Sequence, residues 1–192
     1  MKPIHSVALI GGTGKAGKYL LKQLLKQNFH IKLLHRKPET LELSNLLIET
    51  IKGDARDYQA IHTLLQGCDV VLSCLSQPIG EPTIFSDATR NILKAMDAHH
   101  ISRYITTAGL NVDTPYDEKS ETVQFGTRWM YENFPPTTKD RQVEYQLLSN
   151  SHIDWTMVRL PLIHQTDDIS DINVSWLIAR AMASAPLTLH CL

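Results

Sequence analysis

The chain has 192 residues, 43% of them hydrophobic and 20% charged, with a formal net charge of −1. That length suits one domain with a full core, and so even a balance of charge offers no basic face for nucleic acid or for an acidic membrane. No apolar run approaches the ~20 residues that span a bilayer, and Met1 to Ser6 is too short and polar for a signal peptide. The three cysteines, Cys68, Cys74 and Cys191, show no C-x-x-C spacing, which fits a reducing compartment better than a disulfide framework. The expectation is a cytoplasmic protein with a small-molecule partner, as a monomer or a dimer.

Ile4 to Ile10 is apolar and β-branched and ends at glycines, as a buried strand does. Lys15 to Gln27 changes period: Tyr19, Leu20 and Leu24 share one face and Lys18, Lys22 and Lys26 another, which predicts an amphipathic helix. Ile31 to Leu34 reads as a short strand, and Pro38 to Leu47 as a helix with proline in its first turn. Ile48 to Lys52 is a strand closed by Gly53. Asp57 is placed to cap a helix that reaches Gln66 and stops at Gly67. Asp69 to Leu75 reads as a buried strand, Phe85 to His99 as a helix, and Arg103 to Thr107 as the fifth strand. Leu110 to Pro136 is the one long irregular stretch. Thr138 to Asn150 reads as a helix, and Asp154 to Leu160 as a sixth strand closed by Pro161. Strict alternation of strand and helix predicts a Rossmann-type, doubly wound parallel sheet of order 3-2-1-4-5-6, with helices on both faces. The irregular stretch at about 110–136 follows the fifth strand, at the edge where such folds build substrate sites.

"VALIGGTGKAGKYLLKQLL" decides which nucleotide the fold would hold. Gly12, Gly17 and Lys18 have the spacing of an NTPase phosphate loop, but that loop needs Ser or Thr next to bind Mg²⁺, and here Tyr19 follows. No Asp ends the strand "VVLSCLS" either. Gly11, Gly14 and Gly17, between a strand and a helix, instead suit a dinucleotide, whose pyrophosphate needs close backbone approach at a helix N-terminus. A glycine-rich turn without a ligand is the plain alternative. Sites for NAD place Asp or Glu at the end of the second strand. This chain has His35, Arg36 and Lys37 there, and an arginine fork can grip a 2′-phosphate. NADP(H) is therefore favoured over NAD(H).

"GGTGKAGK", "HRKP", "KGDARD", "GCDVVLSCL", "RYITTAG" and "SHIDWTMVRLPLI" together resemble the atypical short-chain dehydrogenase/reductase superfamily, in its NmrA-like and biliverdin/flavin-reductase-like branch. The resemblance runs from Ser6 to about Ser175. It implies that Gly11, Thr13, Gly14, Lys15 and Ala16 wrap the phosphates, with Gly17 opening the helix, and that Arg36 meets the 2′-phosphate. It implies that Asp54 and Ala55 flank the adenine and that Cys74, Leu75 and Ser76 line the adenosine ribose and the approach to the nicotinamide. Thr107 would hydrogen-bond nicotinamide or substrate, and Pro161 and Leu162 would face the nicotinamide amide.

The superfamily's usual Tyr-x-x-x-Lys pair is missing. Tyr116 precedes Lys119 by one residue too few, and Pro135 stands where Tyr131 would need a lysine. Lys139 falls near the lysine's place in the family. Thr107, with Lys139 and Tyr131 as weaker proton donors, forms the expected catalytic set. Without the pair, the function fits hydride transfer from NADPH to a small flat acceptor such as a flavin or quinone, with solvent supplying the proton. The alternative is a regulatory NADPH sensor without turnover. Phe125, Trp129, Tyr131 and Phe134 form either a lid over such a substrate or a packed loop. No G-x-S-x-G or H-E-x-x-H motif points to a hydrolase or a zinc site, and no metal site is expected.

The chain divides into a single domain over 1–175 and an atypical tail over 176–192. Relatives continue with a P-G-x-x-I-S-x-x-D-L-A segment where this chain reads "WLIARAMASAPLTLH". One permitted codon set for Trp176 to His190, read with a single base added in front, translates as LADRPGDGISATDLA. The tail is therefore expected to be frameshifted and truncated.

Overall fold

The computed structural model describes residues 3–41, 45–76 and 82–161. Its strands are β1 (Ser6–Ile10), β2 (His30–His35), β3 (Ile48–Lys52), β4 (Val70–Ser73), β5 (Arg103–Gly109) and β6 (Asp154–Leu160). Its helices are α1 (Gly17–Lys26), α2 (Tyr58–Leu65), α3 (Ile84–His99), α4 (Glu121–Asn133) and α5 (Pro135–Ser149). The strands form one sheet in the order β3-β2-β1-β4-β5-β6. Every pairing is parallel, as expected from the alternation.

The two-residue period of each strand divides the core. Ala8, Ile10, Leu34, Val71 and Tyr104 pack with Ile61, Leu64, Ala88, Ile92 and Leu148 from α2, α3 and α5. Val7, Leu9, Ile31, Leu33, Val70 and Leu72 face the other way, onto Leu21 of α1. Helices therefore cover both faces.

Two elements differ from expectation. Within Pro38 to Leu47, described over 38–41 and 45–47, the structure has only a 3₁₀ turn at Pro38–Thr40. Polar side chains satisfy the backbone locally there: the Thr40 hydroxyl donates to the Lys37 carbonyl, and Asn45 accepts from the Leu47 N–H. Such bonds compete with helix formation. The stretch expected to be irregular contains α4, capped by Ser120, which accepts from the Val123 N–H. Only Thr127 of α4 is buried, so its sequence carries no apolar stripe to announce it. α5 starts at Pro135, three residues early, because proline suits the first helical position.

Register lines up the functional edge. Ile10 pairs with Leu34 and with Ser73, and Ser73 pairs with Thr106. Gly11, His35, Cys74 and Thr107 follow these residues along one carboxyl edge. β1 lies where the strand order reverses, the crevice in which such sheets bind ligands.

Candidate functional site

The phosphate loop is built by close approach. Gly11 has φ +72°, and a Cβ there would lie 2.7 Å from the carbonyl carbon and oxygen of Cys74. A Cβ on Gly17 would run into the Gly11 carbonyl oxygen. Gly14 is looser: its Cβ would sit 3.3 Å from that oxygen and 3.9 Å from the Cys74 oxygen. Gly11 and Gly17 are thus demanded by the protein's own packing, whereas Gly14 leaves room in front of α1.

α1 begins after Ala16 with no side-chain cap and no acidic residue in its first turn. α2, by contrast, is capped by Asp57, which accepts from the Gln59 N–H at 2.9 Å. An uncapped N-terminus behind an open glycine suits an anion, which the N–H groups and helix dipole favour. Thr13 and Lys15 are exposed at this mouth and Ala16 is half-buried. These residues fit a dinucleotide pyrophosphate.

At the end of β2, Arg36 and Lys37 are exposed and His35 is half-buried. The Lys37 N–H donates to His35 Nδ1 at 3.2 Å. Asp54, after β3, brings a carboxylate near Arg36, and it is engaged. Arg56 Nε donates to Asp54 Oδ1 at 2.9 Å and Nη2 to Oδ2 at 3.0 Å. That fork holds the Asp54 carboxyl below the ordinary carboxylate range, with Arg36 adding to the effect. Ala55 is buried, and its carbonyl accepts from Asn91 at 3.2 Å.

Cys74 follows β4, and its N–H donates to the Ile10 carbonyl at 2.8 Å. Burial pushes its thiol up, against opposing effects of the Thr107 hydroxyl and Arg141. A protonated, buried thiol is packing rather than nucleophile. Leu75 is half-buried, Ser76 exposed and Pro161 exposed; Leu162 lies outside the described residues. Thr107 is half-buried, its hydroxyl 3.5 Å from the Ser73 carbonyl.

No hydrogen bond links the three expected catalytic residues to one another. Lys139 is exposed on α5, between buried Thr138 and Asp140. Tyr131 is on α4; burial first, then nearby Asp113, raises its phenol. Asp113 also holds Lys119 Nζ at 2.7 Å. Thr107 bonds neither of the other two.

The buried polar residues of α5 are others. Asp140 accepts from the N–H groups of Phe85 at 2.8 Å and Ser86 at 3.3 Å, at the start of α3. Arg141 donates to Glu144 at 2.5 Å and to the Leu75 carbonyl at 2.6 Å. Glu144, 1% exposed, accepts from Thr106 at 3.1 Å. The sequence does hold a trace of this. Counting back from Leu148 by helical steps puts Glu144 and Arg141 on the face that buries Leu148, so two charges lie on a core stripe.

Among the described residues no group of three or more His, Cys, Asp or Glu side chains could hold a metal ion. No described helix is long and apolar enough to cross a membrane.

Residues 11–176 match the model of a family described as NAD(P)H-binding. A wide-type short-chain dehydrogenase/reductase from Veillonella parvula, solved in complex with NADP, is similar in structure, with TM-score 0.69 and 19% identity. The match covers 86% of this chain and 73% of that one. ChuY, an anaerobillin reductase from Escherichia coli O157:H7, aligns with TM-score 0.64 and 18% identity, covering 80% of this chain and 71% of its own. In sequence, a decarboxylating sterol-4-alpha-carboxylate 3-dehydrogenase from Dictyostelium discoideum is 27% identical over 75 residues, 38% of this chain. That stretch is 23% of the dehydrogenase's length. The structures share the fold, and the family match takes in the phosphate loop, the basic turn after β2 and all the strands after β1: the chain belongs to the NAD(P)H-binding family.

Proposed function

We propose that the protein is an NADP(H)-dependent oxidoreductase that passes hydride from NADPH to a small, flat acceptor such as a flavin or quinone. The observation that carries the cofactor preference is the end of β2. His35, Arg36 and Lys37 stand there with no Asp or Glu among them, and the Asp54 carboxylate after β3 is held by Arg56. A 2′-phosphate would meet cationic side chains, and a ribose 2′-hydroxyl would lack the acid that recognises it.

When bound, the cofactor supplies the hydride. The chain's residues orient it: Gly11, Thr13, Gly14, Lys15, Ala16 and Gly17 around the pyrophosphate, Arg36 at the adenosine end with Asp54 and Ala55 beside the base, and Cys74, Leu75, Ser76, Pro161 and Leu162 toward the nicotinamide. Thr107, at the carboxyl end of β5, offers a hydroxyl to the nicotinamide or the substrate. The sequence has no Tyr-x-x-x-Lys motif, which favours acceptors whose proton comes from solvent. The anaerobillin reductase and the NADP-bound neighbour share the fold and support this reading.

The missing Tyr-x-x-x-Lys motif also favours a second reading, an NADPH-binding regulator without turnover. NADPH oxidation assayed with a panel of flavins and quinones decides between them. Turnover with at least one acceptor supports the oxidoreductase; tight NADPH binding with no oxidation supports the sensor. Binding of neither dinucleotide overturns both.

A further inference from the structure

α5 grips both ends of the connection from β4 to α3. Before it, the Leu75 carbonyl accepts from Arg141 Nη2 at 2.6 Å. After it, the Phe85 and Ser86 N–H groups donate to Asp140. Arg141 is buried, with its guanidinium carbon 3.3 Å from the Phe85 ring centroid and Nη1 on Glu144. Glu144 in turn reaches β5 through Thr106 and α3 through Thr89.

The peptide that Arg141 holds directly follows the one that backs the phosphate loop. A Cβ on Gly11 would lie 2.9 Å from the Leu75 nitrogen and 2.7 Å from the Cys74 carbonyl. The Cys74–Leu75 peptide is thus packed against Gly11, while the carbonyl that follows it is fixed by Arg141. A buried ion pair is a poor source of stability, since desolvation offsets its attraction and an apolar pair of like volume does as well or better. What a guanidinium fork supplies and an apolar side chain lacks is direction: two different nitrogens fix two different oxygens.

We propose that Arg141, seated by Glu144, is a positioning residue of the dinucleotide site. It holds the Leu75 carbonyl so that Cys74, Leu75 and Ser76 form a preset wall for the nicotinamide half of NADPH. The inference rests on the dinucleotide reading above.

The test compares NADPH with 2′,5′-ADP, which carries only the adenosine half, in titrations of the wild type, Arg141→Lys and the double variant Arg141→Met/Glu144→Leu. Replacing both partners avoids leaving Glu144 buried and unpaired. The double variant is expected to bind NADPH about tenfold more weakly, as loss of a charge-assisted bond implies, and 2′,5′-ADP within about twofold of wild type. Arg141→Lys keeps the charge but loses the fork, and should fall between them for NADPH with 2′,5′-ADP unchanged. It also serves if the double variant does not fold. Wild-type NADPH affinity in Arg141→Lys or in a folded double variant overturns the proposal, as does an equal loss for both ligands, which would mark a general structural defect. A wild type that binds neither ligand overturns the dinucleotide reading itself, a different result.

Discussion

Gly11 of the phosphate loop lies directly on the backbone of Cys74, where a Cβ would approach the carbonyl carbon and oxygen to 2.7 Å at a φ of +72°. Neither atom belongs to a flexible side chain, so nothing cheap can yield. The loop after β1 and the end of β4 are one packed unit, and the nucleotide edge is built from both.

Gly11→Ala should therefore damage fold and site together. The left-handed backbone alone costs a non-glycine residue about 1–2 kcal/mol, before the collision is counted. Thermal unfolding is expected to show a clear drop in Tm, and titration a loss of NADPH binding. Gly14→Val, at the looser position, should keep most of the stability yet abolish binding, because the branched side chain fills the space in front of α1. A Gly14→Val protein that binds NADPH normally would remove the pyrophosphate from that space.

Arg36→Asp should shift preference from NADP toward NAD. Each charge-assisted bond to the 2′-phosphate is worth about 1.5–3 kcal/mol, so NADPH affinity should fall by about tenfold or more. Paired titrations with NADPH and NADH check this. Equal NADPH affinity in wild type and variant would refute the assignment of Arg36.

Thr107→Val keeps shape and removes the hydroxyl near the Ser73 carbonyl. If the protein turns over, kcat should fall roughly fivefold for a bond of about 1 kcal/mol, with NADPH affinity nearly unchanged. An unaltered rate with the best acceptor of the panel would take Thr107 out of the chemistry.

Arg159 of β6 holds Asp117 through two bonds, of 2.6 and 2.7 Å. Burial would raise the Asp117 carboxyl, but the bonds from Arg159 and Thr114 outweigh it, and the net value lies below the ordinary 3.8. A carboxyl with a depressed folded value stabilises above its unfolded value and loses that contribution as pH falls through the folded one. Asp117→Asn should thus cost about 1–3 kcal/mol near neutrality, with the gap closing in acid. Unfolding curves of both proteins across that range measure it; a gap independent of pH would contradict the pairing.

The tail supplies a prediction at the level of the gene. The family match stops at residue 176, where one permitted codon set for "WLIARAMASAPLTLH" gives LADRPGDGISATDLA when read with one base added in front. Residues 162–192 lie outside the described residues, and the proposal rests on the sequence. We propose that a single-base loss near Ser175 shifted the frame. Resequencing the gene should show the added base or the segment encoded in the shifted frame. Its absence from that frame refutes the proposal.

The sequence by itself determined the alternation of strand and helix, hence the parallel order, and the glycine loop with Arg36 behind it. Those features are local: period, turn residues and motif spacing lie within a few positions of one another, and the handedness of the crossovers does the rest. Tertiary structure alone decided which charges on α5 go inside. Lys139, Asp140 and Arg141 are consecutive, yet the lysine is exposed and the other two are buried, because their partners lie elsewhere in the chain. Asp140 finds Phe85 at a separation of 55 residues, and Arg141 finds Leu75 at 66. Burial of a charge is decided by whether a partner awaits it, and no periodicity within a helix carries that information. The same reason hid α4, whose exposed aromatic and polar residues show no stripe: it is held by the Ser120 cap and by Thr127 with Lys119 rather than by a core of its own.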